Sequence, residues 1–253
     1  MPGSGVRSVV SGDGNRGVDG EPGSAALKRA AQLFVVEEWS SGSPFVEKAW
    51  YSTSEPEEYF VSVAVTNWEI CFTTIAGRTE VTVRGPETKA SAAPVPQDAE
   101  FLGIQFRLGA FMPALPIGQL VDRGRVLPAG SGASFYLDGT DWEIPTRDNV
   151  DVFVERLARQ GLLVEDPVVS ALLEDGLSRL SVRSVERHIL RATGLTRGLI
   201  RQIRRCETAV GLLDHGMTIV NTVRVCGYAD HAHLTRSLRR FVGQTPTQIT
   251  GRP

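Results

Sequence analysis

The stretch GYADHAHLTRSLRRFVGQTP, Gly227 to Pro246, decides how the C-terminal part of this 253-residue chain is read. A glycine suits the end of one helix because it accepts the left-handed conformation found there. Asp230 is a good N-cap for the next helix. Within that helix Leu234, Leu238 and Phe241 recur at i, i+4 and i+7 and form a buried stripe. His231, Ala232, Thr235, Arg236 and Arg239 or Arg240 then point outward. Upstream, Thr218 caps a short helix expected to turn Ile219, Val220 and Val223 inward. The whole is a helix, a glycine turn and a second, basic helix.

Working toward the N-terminus, a related unit occupies residues 168–195, VVSALLEDGLSRLSVRSVERHILRATGL. A short helix carries Val169, Leu172 and Leu173, with Asp166 as its N-cap and Pro167 in its first turn. A turn passes through Gly176. Ser181 caps a second helix in which Val185, Ile189 and Ala192 share one face, and Gly194 ends it. Arg183, Glu186, Arg187 and Arg191 lie mainly on the other side. Between the units, Ile200, Ile203, Cys206, Val210 and Leu213 follow helical spacing. That connecting helix of about 18 residues spans roughly 27 Å. Such a spacer suits two helices held about one DNA turn, roughly 34 Å, apart.

Charge is divided unevenly. Residues 181–253 contain 12 arginines, no lysine and four acids, a balance of +8, against −10 for the rest and −2 overall. A basic segment on a mildly acidic chain is the electrostatic footprint of a protein that meets a polyanion. Arginine there can make bidentate bonds to guanine O6 and N7, or to phosphate.

Residues 167–250 resemble the DNA-binding domain of the AraC/XylS family of bacterial transcription regulators. Gly227, Tyr228, Asp230, His233, Leu234, Arg236, Leu238, Arg239, Arg240, Gly243, Thr245 and Pro246 match the family's signature pattern. LSVRSVERHILRATGL is similar to the first unit's usual form but has Ile189 where an aromatic residue is common. The resemblance implies two recognition helices. Base-facing positions are Arg183, Glu186 and Arg187 in the first, and His231, Ala232, His233 and Arg236 in the second. Phosphate contacts fall to Arg191, Thr235, Arg239 and Arg240. The family often has glutamine in place of His231 and serine in place of Ala232. Glu186 is suited either to cytosine N4 or to a neighbouring arginine. His233 is suited either to a base or to a structural bond.

A metal reading of His231 and His233 does not follow. Side chains at i and i+2 on a helix diverge, and no cysteine completes a set with them. Cys71, Cys206 and Cys226 form no CxxC pair, so neither zinc nor a disulfide framework is expected.

Residues 31–147 read as a β-rich domain. YFVSVAVTNWEICFTT (59–74), RTEVTVRG (78–85) and EFLGIQFRLGAFM (100–112) show strand composition or period-2 alternation. An antiparallel sandwich or small barrel follows, whereas DGTDWEIPTRDN (138–149) reads as loop. The helical period starts at Val150, giving an α+β chain with a helical domain over 148–253. The β-rich part more weakly resembles the cupin-like sensor domains of many family members. All four histidines, His188, His215, His231 and His233, lie beyond it, which argues against a metal-cupin enzyme. Trp68, Phe106 and Phe111 either line an effector pocket or fill a core.

Residues 1–30 are rich in glycine and polar side chains and read as a disordered leader. They lack the apolar run of a secretory signal, and no stretch approaches the roughly 20 apolar residues that span a bilayer. The expectation is a cytoplasmic, non-enzymatic regulator of double-stranded DNA without a cofactor. A small-molecule effector, RNA polymerase and a second copy of the chain are its further candidate partners. Two rivals stand beside it. One is a DNA-targeted enzyme of repair-alkyltransferase type, which needs a reactive cysteine such as Cys71. The other is an interaction module that binds no DNA.

Overall fold

The computed structural model describes residues 34–54, 59–174 and 180–251. The leader expected over 1–30 and the turn at Gly176 lie outside the described residues. The chain is α+β: antiparallel strands come first and helices follow. The strands are β1 (Phe34–Trp39), β2 (Val46–Ser54), β3 (Tyr59–Ser62), β4 (Glu69–Ile75), β5 (Arg78–Arg84), β6 (Ser91–Pro94) and β7 (Ala99–Phe106). Five short ones complete them: β8 (Ala110–Phe111), β9 (Gly124–Val126), β10 (Ser134–Leu137), β11 (Thr140–Glu143) and β12 (Val164–Glu165).

Six strands make the main sheet in the order β1-β2-β7-β4-β5-β9, and β3-β6, β8-β12 and β10-β11 pair off as two-stranded ladders. The alternation in β7 is realised. Leu102, Ile104 and Phe106 are buried while Phe101 and Gln105 are only partly covered, as a half-solvated antiparallel sheet requires.

The segment expected to be loop contains β11. Phe135 pairs with Trp142 and Leu137 with Thr140 across a hairpin. Its turn is Asp138-Gly139, with φ of 50° and 74°. Two successive left-handed residues match the right-handed twist of a hairpin, and Asp-Gly supplies them at low cost. That dipeptide was the sequence signal for the strand pair.

Helix α1 (Val150–Arg159) starts where the helical period starts, but it belongs to the core of the β-rich part. Phe153 is its hub. Phe72 from the sheet and Trp142 from the hairpin meet its ring edge-on, each with centroids 5.9 Å away. Fully burying an aromatic of this size stabilises by about 1.5–3 kcal/mol, so the amphipathic stripe of α1 is satisfied by the sheet. The change of core comes after Leu163, not at 148.

The remaining helices are α2 (Pro167–Glu174), α3 (Val182–Thr193), α4 (Arg197–Asp214), α5 (Ile219–Val225), α6 (His231–Phe241) and α7 (Pro246–Thr250). They share a second core built on Val185, Ile189, Ile203, Val210, Leu234 and Leu238. Ala64 and Leu108 join that core from the β-rich part, so the β-rich part and the helices are packed together. No helix among the described residues is long and apolar enough to cross a membrane.

Candidate nucleic-acid interface

Local chemistry places both outer helices. In α3, Ser181 Oγ accepts from Ser184 N, and the helix ends at Gly194 with φ 72°. In α6, Asp230 Oδ1 accepts from His233 N at 2.6 Å. Thr196 and Thr218 cap α4 and α5 in the same way. Each cap satisfies one N–H that a helix start leaves unpaired, worth about 1 kcal/mol. The buried stripes are those expected: Val185, Ile189 and Ala192 in α3, and Leu234, Leu238 and Phe241 in α6.

With those faces buried, Arg183 and Arg187 on α3 are exposed and Glu186 is half-buried. On α6 His231, Ala232, Arg236, Arg239 and Arg240 are exposed, and Thr235 is half-buried with its hydroxyl donating to His231 O at 2.9 Å. Among the described residues Glu186 makes no ion pair. Arg183, Glu186 and Arg187 instead line a hollow of about 520 Å3 with Ser184, Leu190 and Thr196. The sequence reading did not include the last three. Thr196 could have been found, since it stands directly before the apolar-periodic run of α4 and is its N-cap.

His233 does not stand free. Its ring meets Tyr228 edge-on with centroids 5.1 Å apart, and its Nδ1 accepts from Ala229 N at 3.4 Å. Tyr228 is buried, and Arg205 lies over the other part of the cluster, 4.4 Å from the Tyr228 ring centroid. Burial pushes the Tyr228 hydroxyl up to about 12. Among the described residues no group of three or more His, Cys, Asp and Glu side chains is arranged to hold a metal.

Two expectations need correction, and of the alternatives left open for Trp68 and Phe106 the core fits. Val220 is 77% exposed rather than inward. The inner face of the short helix α5 runs through Ile219, Thr222 and Val223, at i, i+3 and i+4, and Val220 falls off it. Arg191 is exposed but is not a free cation. Its Nη2 donates to Asp166 Oδ2 at 2.6 Å, and its guanidinium lies 5.4 Å from the Phe111 ring. Phe111 in turn packs against both cores, at the junction of the two parts. Trp68 and Phe106 do not frame a space. They stack on each other at 4.0 Å, and Trp68 Nε1 donates to Ala110 O at 2.6 Å.

Asp166 is completely buried yet charged. Burial works to raise its carboxyl, but bonds from His188, Arg191 and the Val168 amide outweigh that and hold it below the ordinary value. One carboxylate therefore caps α2 and grips α3 at two points, His188 and Arg191.

Comparison with known proteins agrees with this geometry. Residues 178–252 match the family described as a helix-turn-helix domain. The chain is 32% identical over 91 residues to the HTH-type transcriptional regulator RipA of Corynebacterium glutamicum, covering 35% of this chain and 28% of that protein. It is 31% identical over 74 residues to the RipA of Corynebacterium diphtheriae, covering 29% and 22%. These residues form an AraC-type helix-turn-helix domain. The chain spans about a quarter of the length of the relatives it matches. No solved structure matches it.

Helix α4 joins two helix pairs, α2 with α3 and α5 with α6, and the family match begins at residue 178, after α2. Outside the domain, the only thiol offered for alkyl transfer is Cys71. It is buried in β4, and burial pushes it up to about 12. It is therefore a neutral thiol at physiological pH, a poor nucleophile.

Proposed function

We propose that the chain is a sequence-specific regulator of transcription that binds double-stranded DNA through α3 and α6, each in a successive segment of the major groove. The carrying observation is that both helices bury an apolar stripe in one shared core and leave arginines to solvent: Arg183 and Arg187 on α3, Arg236, Arg239 and Arg240 on α6. Base readout falls to Arg183, Glu186, Arg187, His231, Ala232 and Arg236, with the free edge of His233 beside them. Thr235, Arg239 and Arg240 approach phosphates. Arg191 has no part in this, because Asp166 holds it. The β-rich part is the regulatory half, taking an effector or a second copy of the chain, and bound DNA presents the protein to RNA polymerase.

The relatives named as transcriptional regulators support this reading. The local balance of +8 supplies affinity through counterion release. The test is selection of duplexes from a random pool by the purified chain. Two enriched sequence blocks, centred about 10 base pairs apart, are expected. Enrichment of one block, or of none, overturns the two-helix reading.

A further inference from the structure

The end of α6 is completed by the β-rich part. The last four carbonyls of a helix have no partner within it. Here Leu238 O and Arg239 O accept from Val242 N and Gly243 N, as the chain turns away. Arg240 O accepts from Ala90 N at 2.8 Å and Phe241 O from Ala64 N at 2.7 Å. The final turn of α6 is thus bonded to two backbone points of the other half.

The end of α3 meets the same half elsewhere. Gly194 lies against Gly118, in the 3-10 turn Ile117–Leu120, and against Val121. A side-chain carbon on Gly194 would stand 2.7 Å from Gly118 Cα and 2.9 Å from Val121 Cγ2.

These two contact points are joined to each other. Asp122 follows Val121 and takes a left-handed backbone, φ 57°, which aspartate tolerates better than most residues. Its carboxylate accepts from Thr88 N at 2.6 Å and from Thr88 Oγ1 at 2.7 Å. Asp122 N donates to Pro86 O, and Gly85 N to Arg123 O. Gly85 is pressed so closely on Leu120 that a side-chain carbon there would reach 2.1 Å from its carbonyl oxygen. Glu87 exchanges two backbone bonds with Val65, next to Ala64. Residues 85–90 are therefore tied to the 117–123 segment on one side and to Ala64 on the other.

We propose that residues 85–90, clamped by Asp122 on Thr88, form a bracket that sets the separation of the two recognition helices. The path runs from the α3 terminus through Gly118, Val121 and Asp122 to Thr88, then through Ala90 to the carbonyl of Arg240. Helix α4 also joins the two units, but along one line. A second connection fixes orientation as well as distance. Thr88 is a positioning residue and touches no DNA. The proposal rests on the DNA-binding reading above.

The experiment uses the full chain, the variants Thr88→Val and Thr88→Ser, and a two-block duplex selected with the wild-type protein. In Thr88→Val, the amides of Ala64 and Ala90 exchange with solvent at least tenfold faster, while those of β4 are unchanged. Affinity for the two-block duplex falls at least fivefold, and affinity for a duplex carrying one block stays within twofold. Tolerance of one added base pair between blocks widens. Thr88→Ser keeps both bonds and restores all three readings. Unchanged exchange at Ala64 and Ala90, or equal loss on both duplexes, overturns the proposal. If Thr88→Val fails to fold, Asp122→Ala provides the same comparison. Failure of the wild-type chain to enrich any duplex counts against the DNA reading instead, and the exchange measurement still decides whether the clamp holds α6.

Discussion

The two helix-turn-helix units share a plan but are held differently. The first is anchored through side chains along its length. Buried Asp166 grips His188 and Arg191, and Gly194 seats the helix end on Gly118. The second is held by backbone at one end, through the carbonyls of Arg240 and Phe241. Its own turn is packed internally, with Tyr228 between Arg205 and His233. Anchoring has paired one basic residue of α3, the exposed Arg191, with a buried carboxylate. The outer face of α6 keeps all three of its arginines exposed. A unit can be fixed firmly or can present its full basic face, and here the two units divide those tasks.

If the first unit is the anchor, damage to its seat is the most costly change. Gly194→Val forces a β-branched residue to φ 72° and into Gly118. The left-handed backbone and the overlap together cost about 3 kcal/mol, read as a lower urea midpoint. A loss under about 1 kcal/mol would mean that α3 is not seated there. Next comes Asp166→Ala. It removes a helix cap and two charge-assisted bonds, roughly 2–3 kcal/mol. The folded carboxyl lies below its ordinary value. Its contribution is therefore present above about pH 4 and lost as pH falls through the folded value. The variant should lack that part of the acid transition. An unchanged acid limb in urea melts from pH 5 to 2 would refute the coupling.

These anchoring features show what was legible beforehand. Caps and stripes are local, so Ser181, Gly194, Asp230 and the i, i+4 apolar positions of α3 and α6 could be read directly. The Asp-Gly turn that makes β11 was also local, but the strand after it, Thr140–Glu143, is too short to show an alternation. The grip of Asp166 on Arg191 joins positions 25 apart, and no periodicity signals such a pair. Arginine on the outer side of a helix looks equally free whether or not a carboxylate meets it. The stacking of Trp68 on Phe106 likewise depends on strand register, which a single sequence leaves open. Helix α1 showed its period plainly, but amphipathicity names no partner, so its place in the sheet's core was hidden.

On the reading side, Arg236→Ala should weaken binding to the selected duplex more than to random DNA, by roughly 1–3 kcal/mol. Arg236 is exposed in the middle of α6, where the helix can approach base edges. Titrations against both duplexes at one salt concentration decide it. Equal losses would make Arg236 a phosphate contact and leave base readout to the first unit.

The smallest effect separates the two units most cleanly. Arg191 and Arg240 sit in the last turns of α3 and α6, and both side chains carry charge near solvent. Only Arg191 has its guanidinium on a buried carboxylate; that of Arg240 lies 4.9 Å from the neighbouring Phe241 ring and pairs with no acid among the described residues. A phosphate contact releases counterions, and its loss lowers the salt dependence of log K by about 0.9. Arg240→Ala should show that reduction, with affinity falling nearly evenly across sequences. Arg191→Ala should leave the slope as it is and lower stability by about 1 kcal/mol instead, because an arginine already paired with Asp166 has no charge to offer DNA without breaking that pair. Binding isotherms between 50 and 200 mM salt, on the order of the range over which such slopes are read, compare the two variants. A flattened slope for Arg191→Ala would show that DNA draws the guanidinium away from Asp166, and the first unit would then be a reader as much as an anchor.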